Sequence, residues 1–177
     1  MDMTIKEFFD KHGDCATGHG SDWDFITYCK TMHDVWNAAN ADKLIWLATR
    51  PGVLTNKENR LFACWCVHRV WHRLTDERSR TAVEVAEQYA QGLATEEELD
   101  AARAAAHAAM IMLDECKSND CISASWGAQG AFSVCHPLAT FGASHAAKIG
   151  WIILGGQGDQ AEYLRKNHTP NFAGNYR

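Results

Sequence analysis

Apolar residues fall on a helical period through the middle of the chain, where Leu61, Cys64, Val67, Trp71 and Leu74 recur every three or four positions. That spacing lines one face of a helix and predicts a buried central helix over 56–74. His68, Arg69, His72 and Arg73 gather within two turns on its other side, the clearest local concentration of basic residues. No stretch alternates with the period of a strand. Ile149 to Leu154 comes nearest, but the alanines before it and Gly155-Gly156 after it suit a helix and its cap better.

Helix starts recur. Thr4 with Glu7, Thr31 with Asp34, Thr55 with Glu58 and Thr95 with Glu98 each place an acid three residues after a capping hydroxyl. The hydroxyl accepts from an orphan backbone amide, while the acid reaches back and sits at the positive end of the helix dipole. Gly13, Asn40, Pro51-Gly52 and Gly92 supply the stops. Together these signals predict helices over 4–12, 22–30, 32–39, 41–49, 56–74, 79–91, 96–117, 121–135, 138–154 and 157–166. The expected fold is all-α, a single-domain bundle or array of about eight to ten helices.

Small residues shape the second half. Ala101 to Ala109 is almost entirely alanine, interrupted by Arg103 and His107, and predicts close helix pairing. From Ser123 to Gly156 many Gly, Ala and Ser residues are interspersed with Trp126, Phe132, Phe141 and Trp151, which are expected to fill the gaps between helices.

With 177 residues the chain suffices for one domain over 1–177, its looser ends expected at 1–20 and 167–177. Seventeen basic residues against twenty-two acidic ones give a net charge of −5, without the broad positive field of a nucleic-acid binder. No apolar run reaches the roughly 20 residues of a membrane span, so no membrane partner is expected. The cysteines, Cys15, Cys29, Cys64, Cys66, Cys116, Cys121 and Cys135, are odd in number. With no secretory signal pattern in the first residues, they are expected to be reduced thiols in a cytoplasmic protein, bacterial or, if phage-encoded, of the host cytoplasm.

A family resemblance enters with three segments: Trp36 to Ala48 (WNAANADKLIWLA), Leu61 to Cys66 (LFACWC), and Arg80 to Arg103 (RTAVEVAEQYAQGLATEEELDAAR). Over about residues 32–112 the chain resembles the helical immunity proteins of bacterial toxin systems, which also occur in phage genomes. The resemblance implies an intracellular protein that neutralises a toxin or a host-defence effector by binding it, as immunity or as anti-defence.

The residues themselves offer a binding patch. Trp65 falls on the side of Arg69, His72 and Arg73, and tryptophan and arginine are enriched among interface hot spots. Trp65, Arg69, His72, Arg73 and Arg103 are therefore the candidate partner- or ligand-binding residues, with a protein effector or toxin as the expected partner. A second reading keeps the same arginines, Arg69, Arg73 and Arg103, as the lining of a pocket for a nucleotide or another small anion. No catalytic residue, cofactor or metal is expected. Cys64, His68 and His72 stand at i, i+4 and i+8, but residues eight apart on a helix lie about 12 Å apart along its axis, too far to share one ion. A Cys-His hydrolase, with Cys135-His136 as the adjacent pair, is the third reading and lacks a supporting motif. Gly18-His-Gly20 and Gly155-Gly-Gln-Gly158 fit flexible turns better than anion loops, because the phosphate-loop lysine and hydroxyl residue are missing.

Overall fold

All four threonine–acid pairs close as reciprocal caps, with hydrogen bonds of 2.7–3.2 Å between each hydroxyl or carboxylate and the opposite backbone amide. The structure, a computed structural model, describes residues 2–12, 20–115, 119–154 and 158–173. The helices in chain order are α1 (Ile5–His12), α2 (Met32–Ala38), α3 (Ala41–Ala48), α4 (Asn56–His68) and α5 (Glu77–Gln91). They continue with α6 (Glu96–Glu115), α7 (Asn119–Val134), α8 (Ala139–Leu154) and α9 (Gly158–Asn167). The fold is an all-α, single-domain helical array, with no strand among the described residues. The glycine segments at 18–19 and 155–157 lie outside the described residues.

Three local expectations need correction. The segment expected as an α-helix over 22–30 is a 3-10 helix, Gly20–Tyr28, followed by a bond from Cys29 N to Ile26 O at 3.0 Å. Asn40 does not end a helix. Its side chain accepts from Lys43 N at 3.1 Å and starts α3. The central helix does not run to 74: α4 stops at His68, and Val70 N bonds Val67 O before a 3-10 turn, Trp71–Arg73. The tighter winding rotates the residues that follow, so Val70 and Leu74 are buried while Trp71 is half-buried and stacks on the His68 ring at 4.7 Å.

The rest of α4 is enclosed more completely than one apolar face would require. Phe62, Ala63, Cys64, Cys66 and Val67 are buried, as are the polar Asn59 and Arg60, and the helix packs against α5, α7 and α8. Its buried polar groups are held. Asn59 Nδ2 donates to Leu54 O and Thr55 O at 3.2 Å, and Arg60 Nη1 donates to Val134 O at 2.5 Å with its guanidinium 5.1 Å from the Tyr89 ring. Small residues bring the neighbours close. A Cβ on Gly130 would sit 3.2 Å from Val67 Cγ2, and one on Gly142 would lie 2.5 Å from Ser133 O, so α7 and α8 touch along their backbones. Ala102, Ala106 and Ala109 of α6 are buried, as the alanine run predicts.

The two ends, expected to be loose, meet each other where they are described. Met3 N donates to Phe172 O at 2.9 Å and Asn171 N to Val53 O at 2.8 Å. Phe172 is 1% exposed and lies 5.6 Å from the Phe8 ring and 6.3 Å from Trp36. Burial of aromatic surface therefore anchors both ends.

Candidate functional site

Trp65 and Arg69 do come together, but in a contact between two helices of the same chain. The Trp65 ring stacks on Tyr163 of α9 at 4.2 Å, and the Arg69 guanidinium lies 5.3 Å over Trp65. Arg69 Nη2 meets Asp159 Oδ2 at 2.5 Å, its side chain is 23% exposed, and its Nη1 is buried without a hydrogen-bond partner. Arg69 is thus half-buried and paired, where the helical pattern placed it on an exposed face. His72 is exposed. Arg73 presses its backbone against α7, 3.1 Å from where a Gly127 Cβ would stand, and its Nε is buried without a partner. Arg103 faces Asp100 at 3.6 Å in a shallow groove with His107 and Phe132. The three arginines thus face different neighbours, and the grooves described at the surface gather them into no common anion pocket.

Arg69→Glu is expected to lower the melting temperature by a few degrees, because a carboxylate would then oppose Asp159 and the cation over Trp65 would be lost. A pair still open to solvent on its Asp159 side is worth up to about 1 kcal/mol, and that energy shifts Tm by about 2–4 °C in a chain of this size. The double variant Arg69→Glu with Asp159→Arg should recover part of the loss in thermal melts. A single variant that melts like wild type contradicts the pairing.

Among the described residues, Cys64, Cys66 and Cys135 are poorly placed for nucleophilic chemistry. Burial pushes the Cys64 and Cys66 thiols far up and the Cys135 thiol up to about 12, which keeps them protonated at neutral pH. Cys135 Sγ points at Ala82 O, 3.2 Å away, while the His136 ring lies 4.5 Å from Phe141, so the adjacent pair does not face itself. Cys29, Cys64, Cys66 and Cys135 are free thiols. Cys121 instead is disulfide-bonded, against the expectation that every cysteine is reduced; it stands half-exposed in the first turn of α7, clear of the core that shields Cys64, Cys66 and Cys135. His68 Nε2 binds Glu87 Oε1 at 2.8 Å, and among the described residues no three His, Cys, Asp or Glu side chains are placed to hold a metal ion. Among those residues no helix is long and apolar enough to cross a membrane.

Several histidines sit where charging them is costly. Burial pushes His12, His145 and His168 below the ordinary histidine range, with Glu58 only partly offsetting the effect at His168. A group with a depressed folded-state pKa favours folding above its unfolded value of about 6.5, and that stability is lost as pH falls through the folded value. The urea midpoint should therefore drop between pH 7 and pH 5. Glu7, Asp34 and Asp76 are held low by bonds to Thr4, to the Lys30 and Thr31 amides, and to Arg78, so their contribution disappears only in a second wave at more acidic pH. A midpoint flat from pH 7 to pH 5 contradicts this assignment.

What the pattern did not anticipate is the outer side of α6, α7 and α8. Met112 is 62% exposed, Ile122 51%, Trp126 38%, Phe141 50% and Trp151 47%, although the aromatics among them were expected to fill the interior. A groove of about 300 Å³ runs between α6 and α7, lined by Leu113, Asp114, Ile122, Ser125, Trp126 and Gln129. A second groove, about 290 Å³, lies between α8 and α3, with Trp151 and Lys148 facing Trp46 and Arg50. The signal was present in the composition: α7 and α8 carry almost no charge on any side, and a helix apolar all round is buried or awaits a partner. Ile122 and Trp126, with Asp114 beside them, form the candidate site. Compared with models of known families, with curated proteins and with solved structures, the chain matches none.

Proposed function

We propose that this protein is a non-enzymatic binding inhibitor that captures a protein partner on the outer side of α6 and α7. The observation that carries the reading is the exposure of Ile122 and Trp126 together on one groove, with Met112 also exposed next to its lining residue Leu113. Contiguous exposed apolar surface is costly in water and marks contact sites, and tryptophan leads the residues that dominate interface energies. The resemblance over residues 32–112 gives the role its form, an immunity-like or anti-defence protein that neutralises a toxin or a host-defence effector. The compact folding of α4 against its neighbours supplies a rigid base for such a surface.

Affinity capture in cells that produce the protein tests this reading. Wild-type chain is expected to recover a protein partner that Ile122→Asp loses. The reading fails if both recover the same proteins, or if nothing is recovered while the purified chain turns over a metabolite.

A further inference from the structure

The α6–α7 groove is lined by one acidic residue together with apolar and polar ones. Asp114 is exposed, and its carboxylate accepts a hydrogen bond from Ser125 Oγ, which fixes it at the groove edge. Trp126, Ile122 and Leu113 supply apolar surface, and Gln129 completes the lining. Among these described residues Asp114 carries the charge, with the exposed Glu115 next to it, and α7 from Asn119 to Val134 contains no basic residue. Arg78 of α5 reaches α6, with its Nη2 3.2 Å from Met112 Sδ. It is held by Asp76 through Nε–Oδ1 at 3.0 Å and Nη2–Oδ2 at 2.7 Å, so it is already neutralised.

The same chain shows what complements such an arrangement. Between α4 and α9 an arginine, a tryptophan and an aspartate form a unit, with Arg69 5.3 Å over Trp65 and 2.5 Å from Asp159. The groove presents the tryptophan and the aspartate of that unit on its surface. At about 300 Å³ it is at the lower end of ligand-pocket sizes, which suits one long side chain better than a whole cofactor. We infer that the groove receives an arginine or lysine side chain of the partner, so that the partner's contact segment is basic and amphipathic. Its alkyl stem lies on Ile122 and Trp126, and its cationic head meets Asp114. The net charge of −5 draws a basic segment toward the protein from a distance.

This inference rests on the reading of the protein as a binder, and its test separates the two. The probes are three labelled synthetic amphipathic helices that share one leucine face and carry arginine, glutamine or glutamate along its flank, with binding read by fluorescence anisotropy. The arginine peptide is expected to bind at least about tenfold more tightly than the others, more weakly as salt rises, and about tenfold more weakly to Asp114→Asn and to Trp126→Ala. Both variants alter exposed side chains and should melt within a few degrees of wild type. Equal binding of the three peptides, unchanged binding by Asp114→Asn, or no binding overturns the inference. So does a dimer that Trp126→Ala converts to monomer, since the groove would then hold a second copy. If the cationic preference fails while Ile122→Asp still loses a captured protein, the binding function stands and only the chemistry of the partner is wrong.

Discussion

Phe62→Ala is expected to destabilise the protein by about 3–5 kcal/mol, a large share of the roughly 5–15 kcal/mol that holds a domain folded. Phe62 is fully buried on α4 and stacks on Trp65 at 6.3 Å and on Tyr163 at 6.0 Å, so its ring joins the central helix to α9. Truncation opens a cavity that helices on several sides cannot close, because backbone contacts such as Gly142 against Ser133 O already fix α8 against α7. Trp71→Ala should cost clearly less. On the helical pattern Trp71 continued the buried line, yet the ring is half-buried and leans on His68. Chemical denaturation of the two variants orders them, and a Trp71 loss equal to that of Phe62 would contradict the break in the helix after His68.

Trp126→Ala should do the opposite: leave the fold nearly intact and weaken the partner complex by about 2 kcal/mol or more, roughly thirtyfold in affinity. Trp126 is 38% exposed at the groove, whereas Trp23 and Trp36 are 6% and 3% exposed in the core. Removal of an exposed ring costs little folding energy, but a ring that becomes enclosed on binding contributes most of its apolar area to the complex. A calorimetric titration of the captured partner, with a thermal melt beside it, separates the two effects. A normal affinity together with a collapsed melting temperature would make Trp126 a structural residue.

Local chemistry was legible wherever one residue's cause lay within a turn of it. Thr4, Thr31, Thr55 and Thr95 each find their acid three residues on, and Gly92 ends α5 in the left-handed conformation, φ 77°, that its lack of a side chain permits. Long-range pairing was not legible. The partner of Arg69 is Asp159, ninety positions away, and helical spacing shows only that the arginine leaves the helix on the side opposite Cys64. The central helix shows the same limit, since neither glycine nor proline marks the change of winding after His68. The candidate site was missed for a related reason. Trp126, Phe141 and Trp151 among small residues resemble core filling in one dimension, and only the assembled array shows that their neighbours bury the other side of each helix.

The central claim is that α7 and the end of α6 form the contact surface, and site-specific photo-crosslinking tests it most directly. A benzophenone side chain is placed in turn at Ile122, at Trp126, at Glu84 on α5 and at Glu162 on α9, in cells that produce the protein. The latter two are also exposed, and Glu162 lies on the same helix as Asp159 and Tyr163. One partner crosslinked from 122 and 126, and not from 84 or 162, is the predicted result. A partner crosslinked from 162 with none from 122 or 126 would contradict the account and move the contact surface to the Trp65–Arg69 side of the protein.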